Sequence, residues 1–403
     1  MFRTACLLCG NRDLCEIIDL GMHPFADTFI PADSLSRCDK LYPLVCDVCL
    51  RCGQIQLRTV TEPEARYQDC EYSYTSSNSA FSRRHWVSFA ETVSRHIGLQ
   101  PGELVIELGS NDGFLAAQFK AAGQRVLGVD PSKAMAYLAQ GRGVKTVIGF
   151  FSEALADNLV ARTGPARLIV ANNVANHAND PLDFMRGVRR LLADDGTFVF
   201  ELPYWLRQVE QHRIDQIYHE HVTYFTVTYA AALTRAAGLT LTHVEEVDYH
   251  GGSLRAYCRK AGEVDESVDR LRRLELEAGV FLPETYSTLM ATVGIQRSER
   301  LERIHRITRG GESLVAIGAA AKGNTFLNYY GLNSTIIDVV TDASPQKIGK
   351  YTPATRIPIT PDSHLASYER GVHAIVLAWN LTEALRKTLR DINPHIQFLE
   401  DDA

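Results

Sequence analysis

Five titratable side chains stand within seven residues at Asp215-Gln216-Ile217-Tyr218-His219-Glu220-His221. Imidazole is the side chain that exchanges protons near neutral pH, and a carboxylate beside it can set its orientation. That combination suits abstraction of a weakly acidic C–H proton by His221, oriented by Glu220, with Tyr218 placed to hydrogen-bond the oxyanion that forms. A second imidazole, His177, closes the run Asn172-Asn173-Val174-Ala175-Asn176-His177. Each group has a plainer alternative: Glu220 and His221 also suit a helix cap or a surface pair, and His177 a surface loop.

What would position these groups is an alternation of apolar runs and helical stretches from Leu104 to about Cys258. The expected strands are Leu104–Leu108, Arg125–Val129, Arg167–Ala171, Thr197–Leu202, Thr240–Val247 and Ser253–Cys258, the pattern of a mostly parallel sheet flanked by helices. His177 follows the third strand, at the carboxyl edge where open α/β sheets bind ligands. The first strand runs into Glu107-Leu108-Gly109-Ser110-Asn111-Asp112-Gly113, where two glycines let backbone approach a ligand. The spacing fits the Glu-x-Gly-x-x-x-Gly turn of class I methyltransferases and not the Gly-x-Gly-x-x-Gly of dinucleotide folds. About 20 residues on, a strand ends at Asp130, a place for a carboxylate that accepts both ribose hydroxyls. Glu107, Gly109, Asn111, Gly113 and Asp130 are the expected donor-binding residues of this fingerprint, with S-adenosylmethionine as the cofactor; Asn172 and Asn173, at the carboxyl edge of the third strand, are counted with them on the resemblance described below. A methyl donor followed by a poised base points to methylation of carbon, since oxygen and nitrogen need little help.

Seven of the nine cysteines fall in the first 52 residues. Cys6-x-x-Cys9 and Cys49-x-x-Cys52 are two knuckles with the spacing of a tetrahedral thiolate zinc site, closed to chemistry and hence structural. Cys46 also makes Cys-x-x-Cys with Cys49, leaving the second pair open between 46/49 and 49/52, with Gly53 favouring the latter.

The chain has 403 residues, 45% hydrophobic and 22% charged, with a formal net charge of −6. Its length implies two or three domains, and its acidic balance gives no field for gathering nucleic acid. No apolar run is long enough for a membrane span and the first residues lack a secretory hydrophobic segment, so a cytoplasmic enzyme is expected. The expected division is a zinc-binding domain over 1–70, a methyltransferase domain over 71–262, and a helical connector with a second α/β domain over 263–403. The connector runs from Glu266 to about Arg309, and the second sheet uses Leu314–Gly318, Ile336–Thr341, Val372–Trp379 and Ile396–Leu399. Tyr67, Tyr72 and Tyr74, followed by Thr75-Ser76-Ser77-Asn78, form a polar aromatic cluster suited to a sugar hydroxyl, a lid, or packing between domains.

In this order, the knuckles Cys6/Cys9 and Cys49/Cys52, Tyr72-Ser73-Tyr74, Glu107–Gly113, His177, Glu201-Leu202-Pro203-Tyr204, Ile217–His221, His250-Gly251-Gly252-Ser253 and Ala321-Lys322-Gly323-Asn324-Thr325 resemble the nucleotide-sugar C-3′ methyltransferases. These act on nucleotide-linked 4-keto-deoxysugars in antibiotic and surface-polysaccharide biosynthesis, and the resemblance covers nearly the whole chain. It implies a zinc-binding N-terminal domain, a class I methyltransferase core and a C-terminal Rossmann-like domain, with the nucleotide sugar lying between domains. It also implies His221 as the base, supported by Tyr72, His177, Tyr218 and Glu220. Tyr74, Ser253, Lys322 and Asn324 are the candidate substrate contacts, Lys322 and Asn324 standing where a helix N-terminus and an ammonium would meet a diphosphate. Asp27 departs from the asparagine that the family usually carries in that turn. The chain is expected to act as a monomer. Two other readings share these residues: an O- or N-methyltransferase with the imidazole as a hydroxyl base, and a zinc-ribbon protein that senses a ligand without turnover.

Overall fold

The computed structural model describes residues 2–68 and 75–399; Tyr72 and Tyr74 lie outside the described residues. The chain gathers into two compact units. The first comprises Met1–Glu16, Cys46–Glu210 and His221–Pro283; the second comprises Ile17–Val45, Gln211–Glu220 and Glu284–Ala403.

The first unit is built on a seven-stranded sheet in the order Thr240–Val247, Ser253–Arg259, Leu192–Pro203, Ala166–Asn172, Leu104–Leu108, Arg125–Asp130, Thr146–Ile148. All run in one direction except Ser253–Arg259, which is antiparallel to both its neighbours. Leu104–Leu108 is buried at every position, as a central parallel strand with both faces covered must be. Its alternate side chains feed different cores: Leu104, Ile106 and Leu108 join Phe184, Leu191 and Phe198, whereas Val105 packs with Trp86, Phe89 and Phe119 on the other face. Trp86 and Phe89 belong to the Ala80–Ile97 helix, which starts where the Ser79 hydroxyl accepts the Ser82 N–H and ends at the left-handed Gly98. The strand order turns back between Leu104–Leu108 and Ala166–Asn172, which makes that crevice the ligand-binding place of the sheet.

In the second unit a wholly parallel sheet has the order Ile359–Pro361, Val340–Asp342, Leu314–Ile317, Val372–Val376, Ile396–Phe398. Ile304, Leu327, Tyr330, Ile375 and Leu377 fill one face; Ile317, Val376, Leu389 and Phe398 fill the other. The expected connector is two helices: Glu266–Glu277 belongs to the first unit, with Val268 and Leu271 in its core, and Pro283–Arg309 enters the second. Between them lie the left-handed Gly279 and Pro283, which opens the second helix where its missing N–H costs nothing.

Most expected strands appear within a residue or two of their limits. Ile336–Thr341 is shortened to Val340–Asp342 because the Ile336 and Ile337 N–H groups both turn back to the Asn333 carbonyl. Thr197–Leu202 is extended to Leu192–Pro203. Thr146–Ile148 and Ile359–Pro361 were not expected from the sequence.

Candidate active site

The two cysteine knuckles converge. Each turns through a left-handed glycine, Gly10 or Gly53, whose N–H bonds the carbonyl of Cys6 or Cys49. The thiols of Cys6, Cys9, Cys49 and Cys52 all lie within 4.8 Å of one another, with Cys6 and Cys52 Sγ atoms 3.5 Å apart and those of Cys9 and Cys49 3.6 Å apart. Four sulfurs at tetrahedral zinc distances stand about 3.8 Å apart, so the donor set fits the metal. Backbone N–H groups of Leu8 and Cys9 point at Cys6 Sγ at 3.4 and 3.5 Å, favouring its thiolate. Cys46 is not in the cluster: it is fully buried in its strand, and burial pushes its thiol up. The Gln54 side chain braces the knuckle, accepting the Leu8 N–H at 2.9 Å and reaching the Tyr229 hydroxyl at 3.3 Å.

A cavity of about 240 Å³ opens where the first sheet reverses its order. Glu107, Gly109, Asn111, Asp130, Asn172, Asn173 and His177 all line it. Gly109 has φ +65°, and a Cβ there would stand 2.3 Å from a Val174 methyl. Gly113, φ +72°, precedes the Phe114–Ala121 helix and leaves no room for a Cβ against Ala139. Asn111 and Asn173 hold the left-handed region at φ 49° and 54°, strain of the kind that collects at binding sites. Asp130 accepts the N–H groups of Asn111 and Ser132, each at 2.8 Å, and burial pushes its carboxyl up to about 6. A carboxylate has about four lone-pair sites, so two remain for ribose hydroxyls. Glu107 is raised well above the carboxylate range by burial, although one oxygen accepts the Ala116 N–H at 2.9 Å. The Asn172 amide nitrogen is buried with no hydrogen-bond partner, a donor left over for a ligand. Adenosine hydroxyls, ring nitrogens and a sulfonium fit this set.

His177 ends the Ala175–His177 turn, and its ring meets that of His221 edge-on with centroids 5.0 Å apart. His221 is buried, and His177 is half-buried. His177 Nδ1 is hydrogen-bonded to the Tyr67 hydroxyl, and burial, then the His221 and Arg66 charges, hold its imidazole well below the ordinary histidine value. Tyr67 appeared in the sequence only as part of an aromatic cluster, and Arg66 and Asn179 not at all; nothing in their spacing marks them. The Ser76 and Ser77 hydroxyls both go to Asp112, which also receives Arg142 at 3.2 Å. Ser253 donates to the Tyr249 carbonyl at 2.9 Å at the start of its strand. Beneath Asn172 and Asn173 lies Glu201: its N–H donates to Asn172 Oδ1 at 3.0 Å, its carbonyl accepts the Asn173 N–H at 2.7 Å, and its carboxylate is held by His85 and Arg255 at 2.6 and 2.8 Å. That brace was legible only as part of the Glu201–Tyr204 motif.

In the second unit, the Glu220 carboxylate accepts the N–H groups of Asp27 at 3.0 Å and Ala26 at 3.4 Å. Asp27 is buried and pushed up to about 7 by that burial; its Oδ1 has no hydrogen-bond partner. Tyr218 is half-buried after the Ile214–Gln216 turn. Asn324 donates to the Ala26 carbonyl at 2.6 Å. Lys322, in the first turn of the Ala321–Tyr330 helix, bonds Asn380, lies 3.8 Å over the Trp379 ring, and is lowered to about 7 by burial. Trp379 donates its indole N–H to Asp215 at 2.5 Å and carries the Arg213 guanidinium at 3.9 Å.

Comparison with known proteins shows to which families these segments are similar. Residues 6–67 match the family model described as "Putative zinc binding domain", residues 83–244 a "Methyltransferase domain", and residues 248–396 a "C-methyltransferase C-terminal domain". C-methyltransferase NovU of Streptomyces niveus is 31% identical over 378 residues, 93% of this chain and 89% of that protein. A ubiquinone biosynthesis O-methyltransferase of Burkholderia thailandensis is 21% identical over 199 residues, 46% of this chain and 85% of that protein. Among solved structures, magnesium protoporphyrin IX methyltransferase from Synechocystis with bound SAH matches 44% of this chain and 82% of its own, at 15% identity and TM-score 0.36. No helix among the described residues is long and apolar enough to cross a membrane.

Proposed function

Since the chain belongs to the C-methyltransferase family that its motifs resemble, an S-adenosylmethionine-dependent enzyme with a zinc-binding domain, we propose that it methylates C-3′ of a nucleotide-linked 4-keto-deoxysugar through an enolate. The C-4′ ketone acidifies the C-3′ proton. His221 takes that proton, the C–H electron pair becomes the enolate C=C bond, and negative charge moves onto O-4′. C-3′ then attacks the sulfonium methyl in line, and the S–C pair stays on sulfur as the thioether leaves. In this proposal His177 and Tyr218 serve the oxyanion, Glu220 and Tyr72 support the base, and Tyr74 and Ser253 are assigned to the sugar. The observation that carries this reading is the edge-on contact of His221 with His177, which itself lines the donor cavity.

For the nucleotide end, support comes from a second cavity, about 690 Å³, wholly within the second unit and lined by Arg213, Arg300, Arg303 and Trp379. The positive charges of Arg213 and Arg300 act on each other unfavourably, and Arg213 Nε is buried without a hydrogen-bond partner. Asp215 and Glu299 offset only part of that charge. Guanidinium groups held together in this way are matched by a bound diphosphate; the proposal keeps Lys322 and Asn324 as further contacts, although both are buried and neither lines this cavity. The same proposal places the enzyme in the cytoplasm as a monomer within deoxysugar biosynthesis, with neither nucleic acid nor membrane as partner, and divides it into domains 1–70, 71–262 and 263–403.

The test is turnover of a panel of 4-keto nucleotide sugars with S-adenosylmethionine. The expected product is one methylene heavier, with the new carbon on C-3′ by NMR. Methylation of only oxygen or nitrogen acceptors would refute the reading.

A further inference from the structure

Two imidazoles in contact do not both serve as base toward one carbon, and the surroundings of His177 give it a different role. Consecutive residues of the Pro63–Tyr67 helix grip it at two points. The buried Arg66 reaches the His177 carbonyl at 3.4 Å and the Asn179 side chain at 2.7 Å, and Asn179 in turn donates to the Thr61 carbonyl at 2.9 Å. Tyr67 bonds ring nitrogen Nδ1, its own ring packed at 6.4 Å against Phe150. Burial and the neighbouring charges keep the His177 ring uncharged, so one nitrogen carries hydrogen and the other is a bare acceptor. A bare imidazole nitrogen is a stronger acceptor than a phenol oxygen, and a phenol at neutral pH is a ready donor, so the favoured arrangement is Tyr67 O–H to His177 Nδ1.

We infer that Tyr67 is a positioning residue: by donating to Nδ1 it confines the His177 proton to Nε2, making His177 a fixed hydrogen-bond donor to the enolate oxygen while His221 alone removes the C-3′ proton. The part played at the enolate rests on the reaction proposed above; the tautomer does not. A neutral donor suits this place because it stabilises the oxyanion without competing for the proton that His221 removes. Without Tyr67, His177 is free to carry hydrogen on Nδ1 and to turn a lone pair toward the developing negative charge.

The experiment is 15N NMR of the full-length zinc-loaded protein labelled at histidine, with His177→Asn assigning the resonance, alongside kinetics of Tyr67→Phe. The wild-type His177 signal should report the Nε2–H tautomer throughout the neutral pH range, and Tyr67→Phe should move it toward Nδ1–H. In the same variant, C-3′ deuterium exchange and methyl transfer should fall together by about 10²-fold, the scale of losing one oxyanion donor, with KM for the methyl donor held. An Nδ1–H tautomer in the wild type overturns the assignment. So does Tyr67→Phe that keeps the exchange rate while losing donor affinity or melting temperature, the mark of a merely structural role. If no sugar is turned over, the reaction assignment fails, but the NMR measurement still decides the tautomer.

Discussion

Each unit carries an α/β sheet, mostly parallel in the first and wholly parallel in the second, yet the cavities beside those sheets have opposite chemistry. In the first unit the wall includes two buried carboxyls, Glu107 and Asp130, with the strained Asn111 and Asn173 and the cramped Gly109. In the second, the wall holds three arginines and a tryptophan around nearly three times the volume, about 690 against 240 Å³. The sheet supplies a crevice in each case; the residues that line it decide which ligand is taken. Carboxylates and backbone approach suit ribose hydroxyls and a cationic sulfonium, whereas guanidinium groups suit phosphate.

The zinc knuckles supply the largest lever on this contrast. Cys49→Ser should release the metal and unfold the knuckles, because structural zinc binding is worth on the order of 10 kcal/mol. Metal content and limited proteolysis would show it, with the second unit's arginine cavity still binding nucleoside diphosphate. Asp130→Ala should weaken S-adenosylhomocysteine binding by about 10- to 100-fold, the range for hydrogen bonds to a charged group, and leave nucleotide binding unchanged by calorimetry. Arg213→Ala should do the reverse, weakening nucleoside diphosphate by about tenfold at constant donor affinity. If either variant moved both affinities equally, the division of labour between cavities would be wrong.

The smallest effect is that of pH. With its carboxyl raised to about 6 by burial, Asp130 keeps in the folded protein a proton that an unfolded chain releases near pH ~4. The stability it contributes to the unliganded protein is therefore present at low pH and lost as pH rises through about 6. Donor binding runs the other way, since the ionised form accepts ribose hydroxyls: affinity should be up to about tenfold weaker near pH ~5 than near pH ~7, measured by thermal shift with and without S-adenosylhomocysteine.

Much of the first unit was legible because its strands are apolar runs that end beside residues whose backbone or carboxylate has a fixed use there, as at Gly109, Asp130 and Asn173. The cysteine knuckles were readable from spacing alone, except that choosing Cys52 over Cys46 required seeing Cys46 turned into a buried strand position. Thr146–Ile148 escaped notice because a three-residue edge strand with partly exposed side chains has no periodicity. The grouping of Ile17–Val45 with the C-terminal residues was equally hidden, since no local pattern records which distant residues a segment packs against. Arg66 and Arg213 likewise look like ordinary surface residues until tertiary structure brings them to His177 and Trp379, and Tyr67 was legible only as part of an aromatic cluster, not as the partner of His177.

The central claim, that a histidine strips hydrogen from the sugar carbon before methylation, is tested most directly by exchange in D2O with S-adenosylhomocysteine in place of the methyl donor. Wild-type enzyme should incorporate deuterium at C-3′ of the 4-keto sugar, and His221→Ala should lose that exchange while still binding S-adenosylhomocysteine. Absence of deuterium at that carbon under these conditions, in a wild-type enzyme that transfers methyl when S-adenosylmethionine is supplied, or full exchange in His221→Ala, would contradict the account.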